Sequence, residues 1–214
     1  PDVLPPAQAV IDPKMLPPDH ALRELAGVGV AYMVARALLE GQGQADALEG
    51  MLDLVALGLV ADMAVQVADV RYLIQRGLVA LRRGDRPGLR ALVGVAGIDL
   101  AYLDEMSIGY QLGPRLNAAG RLADARLGVR LLLTPDEAEA RGLAEHLEEL
   151  NRDRQALTEA LGADVEERLR RDPEMLRRPA IILDGANWEP GVLGLVAGEL
   201  ARRYDRPAII IAHL

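Results

Sequence analysis

Gly113-Pro114-Arg115-Leu116-Asn117-Ala118-Ala119-Gly120-Arg121-Leu122 sets two arginines and an asparagine among small residues in an otherwise apolar region. Glycine and alanine let a ligand approach the backbone, and each guanidinium offers a planar fork of donors matched to phosphate oxygens. The same arginines would serve equally well as salt-bridge partners of neighbouring helices. Positions 115 and 121 are six apart, so in a continuous helix they diverge by about 120°. A break at Gly120 would let them converge into a phosphate clamp. The glycines and proline between Met106 and Leu122 interrupt any period, which predicts irregular helix and loop there.

Upstream of that stretch the pattern is helical. The proline-rich opening from Pro1 to Pro18 reads as an extended connection, with a short strand over Ala9-Val10-Ile11. A 3–4 spacing from Leu22 to Leu39 predicts an amphipathic helix, ended by Gly41-Gln42-Gly43. A second helix, from about Asp46 to Val65, is apolar nearly all round and so should lie in the centre of a domain. A third fits Val70 to Arg83, closed by the Gly84-Asp85-Arg86-Pro87-Gly88 turn, and a short one follows from Leu89 to Ala96.

Downstream, Thr134-Pro135-Asp136-Glu137 is a helix start, with a cap, a first-turn proline and a residue able to close a capping box. The helix it opens runs to about Arg171, roughly 55 Å at 1.5 Å per residue, and Asp172-Pro173 stops it. That length suits a connector between two lobes. Beyond it the β-rich runs Ala180-Ile181-Ile182-Leu183 and Ala208 to Ala212 flank a helix from Gly191 to Tyr204, which predicts a parallel βαβ unit.

Several of these blocks, in order, resemble the RecJ exonuclease family of the DHH phosphoesterase superfamily. Gly109-Tyr110-Gln111-Leu112 followed by the opening stretch, then Ala123 to Val129 and Leu131 to Thr134, resembles the central region of that family. Leu22 to Ala31 and Asp53 to Asp62 resemble the blocks that precede it; Leu150-Asn151-Arg152-Asp153-Arg154-Gln155 and Trp188 to Ala197 resemble those that follow. Tyr110 stands where the family usually has Phe, and Met63-Ala64-Val65-Gln66 replaces a Val-Pro-Leu-like continuation. The family's aspartate-rich motif, its Asp-His-His motif and its Gly-Gly-His motif are not in this sequence. The chain therefore reads as an internal fragment, expected to be inactive alone.

The fold this implies is α/β: residues 1–134 as the mostly helical C-terminal part of a DHH phosphoesterase lobe, 135–172 as the connecting helix, and 173–214 as the beginning of a DHHA1-like accessory lobe. The implied activity is metal-dependent hydrolysis of single-stranded DNA from its 5′ end to mononucleotides, in DNA repair and recombination. Two alternatives are a DHH phosphodiesterase acting on short oligonucleotides or cyclic dinucleotides, and a catalytically silent replication or repair scaffold. The implied partners are single-stranded DNA, single-strand-binding protein and a RecQ-type helicase, and the implied location is the cytoplasm.

Composition fits these expectations. The chain has 214 residues, 50% of them hydrophobic, enough for a sizeable core, and no apolar run approaches the ~20 residues that span a bilayer. With no cysteine, a metal site must use Asp, Glu, His or backbone oxygen, a set suited to magnesium or manganese. A net charge of −8 excludes a broadly basic DNA-coating surface, so nucleic-acid contacts must be local. Aromatics at 3%, without a phenylalanine, disfavour a base-stacking platform.

Of the family's metal ligands, the resemblance leaves one aspartate to this chain. Asp62, expected as a buried carboxylate at the end of an apolar helix, is the first choice; Asp53, nine residues earlier and near the opposite face, is the second. Arg115, Asn117 and Arg121 are assigned to a substrate phosphate. Gly191 and Gly194 place small residues at a helix start, where free N–H groups could receive phosphate, or where helix and strand pack closely. Trp188 either stacks on a base or covers the second lobe's core. His20, His146 and His213 form no ligand set, and the Arg168-Arg170-Arg171 and Arg177-Arg178 group reads as a solvated face.

Overall fold

The computed structural model describes residues 4–213; Pro1, Asp2, Val3 and Leu214, at the ends of the sequence-predicted domains, lie outside them. Two compact units form. One holds the residues up to Gly113 together with Pro135–Glu137, the other Pro114–Thr134 and everything from Ala138 onward.

In the first unit, α1 (Gly27–Gly41), α2 (Leu52–Ala61), α3 (Ala68–Arg83) and α4 (Pro87–Val95) follow one another. The predicted second helix is shorter than expected, because residues 45–51 wind as a 3-10 turn before α2 begins. No strand forms over Ala9-Val10-Ile11. As its uninterrupted apolar sequence predicts, α2 is buried on several sides, with Leu52, Val55, Ala56, Leu57, Leu59 and Val60 all inside. It is packed closely by α3. An added Cβ at Gly77 of α3 would lie 2.3 Å from the Leu52 carbonyl oxygen and 2.4 Å from Ala56 Cβ, so only glycine permits this approach. Gly84 ends α3 in the left-handed region at φ +66, and Pro87 opens α4 at a position where its missing N–H costs nothing.

The segment predicted to be irregular is helical throughout. Asp104 caps the short α5 (Glu105–Ser107) in a reciprocal capping box with Ser107, and Ser107 hydrogen bonds hold the Asp104 carboxyl below its ordinary range. A π-helical turn, Ile108–Leu112, runs directly into α6 (Gly113–Leu122). Proline at position 114 follows directly on the π turn, so the helix continues through it without an amide donor to the preceding turn. The π turn packs against the end of α2: Gly109 lies by Val60 and Gly113 by Ala61.

In the second unit, α7 (Arg126–Leu133) precedes α8 (Glu137–Arg171), a helix of 35 residues that stops at Asp172-Pro173 as predicted but starts two residues later than expected, Thr134 being the C-cap of α7 and not the N-cap of α8. Leu161, Val165 and Leu169 of α8 pack with Ile181 and Leu183 of β1 (Ile181–Ala186) and with Val192, Val196 and Leu200 of α9 (Pro190–Tyr204). The second strand, β2 (Ala208–His213), pairs parallel with β1, Ile181 opposite Ala208 and Ala186 opposite His213. The expected strand, helix and parallel strand are therefore present, and the fold is α/β with helix predominating. No described helix is long and apolar enough to cross a membrane.

Candidate functional site

Each unit carries part of the candidate chemistry. In the first, Asp62 is the C-cap of α2. Ala64 N–H donates to the Leu59 carbonyl and Met63 N–H to the Val60 carbonyl, the paired bonds of a Schellman termination. Met63, at the position usually taken by glycine, has φ +52, a conformation that costs an L residue about 1 kcal/mol. The backbone thus turns sharply just past Asp62. The expected burial of this carboxylate is corrected: Asp62 is exposed, because the apolar helix ends one residue before it. Its N–H donates to the Gly58 carbonyl at 3.0 Å, while its side chain makes no hydrogen bond or ion pair with other described residues, including Arg71. A carboxylate at the negative end of a helix dipole is disfavoured by about 0.3–1 kcal/mol, a penalty a cation opposite it would remove.

Asp53 has a different situation. It is buried, and Arg86 grips it with two donors, Nε to Oδ2 at 2.7 Å and Nη2 to Oδ1 at 3.2 Å. Arg86 Nη2 also reaches the Gly50 carbonyl, and Leu54 N–H donates to Asp53 Oδ1. This fork ties the start of α2 to the turn before α4. Removing the carboxylate in Asp53→Ala takes from a largely buried guanidinium its two charge-assisted bonds to Asp53, so a loss of about 3 kcal/mol is expected in urea denaturation. A midpoint unchanged from the parent protein would refute the structural role.

No group of three or more His, Asp or Glu that could hold a metal ion occurs among the described residues. Asp62 is a hard oxygen donor of the kind Mg2+ or Mn2+ accepts, and it can supply one ligand of such a site.

In the second unit the phosphate candidates part company. No break forms at Gly120, and α6 runs through it to Leu122, so Arg115 and Arg121 leave the helix in different directions. The convergent clamp is therefore corrected. A glycine can relax a helix but does not oblige it to bend, and buried Ala118 and Ala119 keep this turn packed. Arg115 is mostly enclosed and bonded to Glu148 of α8, Nε to Oε2 at 2.6 Å, while Arg152 holds the same glutamate's other oxygen at 3.0 Å. Asn117 is exposed on α6.

Arg121 has no carboxylate partner among the described residues; its Nη1 donates to the Gly191 carbonyl at 3.1 Å. Gly191 is where α9 meets the end of α6, since a Cβ there would fall 2.1 Å from the Arg121 carbonyl oxygen. Its N–H is turned to the Glu189 cap at 3.4 Å. Gly194 has open space around it and marks no such approach. Close packing thus accounts for Gly191 better than an anion on its N–H.

Sequence reasoning missed a second cation here. Arg154 of α8 lies within electrostatic reach of Arg121, and burial first, then the Arg121 charge, pushes its guanidinium below the ordinary arginine value. Its Nη2 donates to Asn151 Oδ1 at 2.9 Å, Asn151 itself being 2% exposed, while Arg154 Nε is buried without any acceptor. A cleft of about 440 Å³ is lined by Leu122, Leu150, Asp153, Ala156, Leu157 and Glu189, from the same three helices. The available signal was Asn151, a polar residue breaking the apolar stripe of α8.

Trp188 belongs to the core. It is 9% exposed, its Nε1 donates to Asp164 at 2.9 Å, and Arg168 stacks over its ring at 4.7 Å. Arg168, Arg170, Arg171 and Arg177 all pair with carboxylates on their own segments, as a solvated face would. His213 meets Asp184 across the sheet at 2.7 Å, away from any acidic cluster.

An aspartate at the end of the central helix of one unit, and arginines such as Arg121 without a carboxylate partner in the other, are groups suited to a phosphate-handling α/β protein. No protein-family profile matches the chain. It is 38% identical over 97% of its length to the single-stranded-DNA-specific exonuclease RecJ of Bacillus subtilis (strain 168). It also superposes on a crystal structure of exonuclease RecJ bound to manganese with TM-score 0.82 and 35% identity, over 92% of this chain and 49% of that one. RecJ from Thermus thermophilus in complex with Mg2+ gives TM-score 0.77 and 34% identity, over 91% of this chain and 30% of that one. The chain is a RecJ homologue. It spans about a quarter of the length of the Bacillus protein.

Proposed function

We propose that this chain is the part of a single-stranded-DNA-specific exonuclease that contributes one metal-ligating carboxylate and the recognition of a substrate phosphate. Its likeness to RecJ along nearly its whole length, in sequence and in fold, carries that reading. Asp62 would hold a Mn2+ or Mg2+ ion together with ligands from outside the described residues; the cation would supply Lewis-acid stabilisation of charge at the scissile phosphate. The chain's own contributions are a carboxylate carried on a tightly turned helix end and a guanidinium, Arg121, with no carboxylate partner among the described residues. The expected reaction is release of mononucleotides from the 5′ end of single-stranded DNA in repair and recombination. Single-strand-binding protein and a RecQ-type helicase are the partners such an enzyme would use, in the cytoplasm.

The test is manganese-dependent release of mononucleotides from a 5′-phosphorylated single strand by a full-length protein carrying this segment. Turnover confined to dinucleotides would support the oligonucleotide phosphodiesterase instead, and no hydrolysis at all the silent scaffold. Arg121→Ala is expected to weaken binding of a 5′-phosphorylated strand by about tenfold, while changing a 5′-hydroxyl strand little. Equal losses on both strands, measured by fluorescence anisotropy, would remove Arg121 from the terminal phosphate.

A further inference from the structure

Large apolar side chains are left in water around the end of α2 that carries Asp62. Met63, the next residue, is 89% exposed. Tyr110, at 74%, sits in the middle of the π turn, and Met106, at 62%, lies four residues before it on α5. The π turn is seated on this helix end at two points: a Cβ at Gly109 would fall 3.8 Å from Val60 Cγ1, and one at Gly113 would fall 3.4 Å from Ala61 Cβ. Tyr110 lies between those two glycines, so its backbone is pinned beside the last turn of α2 while its ring stays in solvent.

Single exposed apolar residues are ordinary, but several gathered beside one charged group make a contact surface. Met63 also holds a left-handed backbone that glycine would adopt without strain. Backbone strain and π turns both concentrate where a chain meets a ligand.

The chemistry of that ligand follows from the neighbouring carboxylate. A cation at Asp62 brings a phosphate of the strand to this helix end, and every such phosphate is tethered through one sugar to a base. In a single strand the face of that base is unpaired. An aromatic ring stacks on it whatever its identity, and a thioether packs against it. The other strongly exposed tyrosines are placed elsewhere: the Tyr72 hydroxyl accepts from Arg76 Nη1 at 3.2 Å, and Tyr102 ends the 3-10 turn Leu100–Tyr102 that packs on α3. Aromatics too few for a strand-coating platform still suffice for one nucleotide.

We propose that the Tyr110 ring stacks on the base of the nucleotide whose phosphate meets the Asp62 cation, so that Tyr110 contacts substrate and senses the presence of a base without reading its identity. The inference rests on Asp62 being a metal ligand and adds the base to that site.

Binding of fluorescent oligothymidylates to a full-length protein carrying this segment is measured by anisotropy in EDTA, so that nothing is hydrolysed. Each of the nucleotides nearest the 5′ end is replaced in turn by an abasic sugar. In the parent protein one of these replacements is expected to weaken binding by about tenfold. Tyr110→Leu, which keeps the apolar bulk and removes the ring, should weaken the intact strand by the same factor and bring its ratio to the abasic strand close to one. Tyr110→Phe should restore the ratio, and oligodeoxyadenylate should give a similar one. If Tyr110→Leu keeps the full ratio, or weakens both strands equally while its melting temperature falls, the ring covers another part of the protein and the proposal is wrong. A parent protein with no abasic penalty at any of these positions overturns it too. Failure of the metal reading shows separately, as full manganese-dependent turnover in Asp62→Ala whatever the abasic ratio.

Discussion

Asp62→Ala, made in a full-length protein carrying this segment, is expected to lower metal-dependent turnover by roughly three orders of magnitude while leaving the fold intact. The two halves of that expectation come from different observations. Stability should hold because the side chain is exposed and bonds nothing among the described residues; changes of this kind usually stay within about 0.5 kcal/mol. Removing a negative charge from the negative end of α2 should, if anything, stabilise the helix slightly. Turnover should fall because a ligand lost at this helix end has no acidic or histidine cluster among the described residues to replace it. Asp62→Asn, which keeps the shape and loses the charge, should behave in the same way. The measurements are mononucleotide release at saturating manganese and thermal denaturation of the same preparation. Full activity would remove Asp62 from the metal site, and an unfolded variant would make it structural.

Gly77→Val is expected to do the opposite, destabilising the first unit by about 3 kcal/mol or more and losing activity only through unfolding. A Cβ at this position would fall 2.3 Å from the Leu52 carbonyl and 2.4 Å from Ala56 Cβ, and two of its three nearest atoms are backbone. Backbone in a buried helix cannot swing aside as a side chain can, so α2 and α3 must separate, and a branched residue forces them further than alanine would. The separation opens voids around Leu59 and Ile74, which are fully buried. A domain stable by ~5–15 kcal/mol tolerates few such losses. Denaturation in urea would show a lower midpoint. A midpoint equal to that of the parent protein would mean that the two helices do not lie this close. Comparing the variants separates chemistry from architecture: Asp62→Ala should be folded and inactive, Gly77→Val unfolded before it is inactive.

Much of the architecture was written in short-range pattern. The Thr134-Pro135-Asp136-Glu137 start and the Asp172-Pro173 stop framed α8, and the β-rich runs around Ile181 and Ile209 framed the parallel pair. Gly84 and Pro87 placed the turn between α3 and α4. Caps, turns and apolar periods act within a few residues, so they can be read without knowing what lies opposite. The Met106 to Leu122 segment misled for the same reason. Local propensity disfavours helix there, but packing of the π turn on the end of α2 outweighs a few glycines.

The amino-acid sequence by itself determined the order of helices and strands, the lack of thiolate ligands, the aspartates at 53 and 62 and the arginines at 115 and 121. Only the tertiary structure decided how those side chains are used. It gave Asp53 to Arg86 and Arg115 to Glu148, left the Asp62 side chain without a partner among the described residues, and joined Arg121 to the Gly191 carbonyl across 70 positions of chain. The reason is that a charged group's role depends on which opposite charge lies within a few ångströms. In a folded chain that neighbour is supplied mostly by residues far away in sequence.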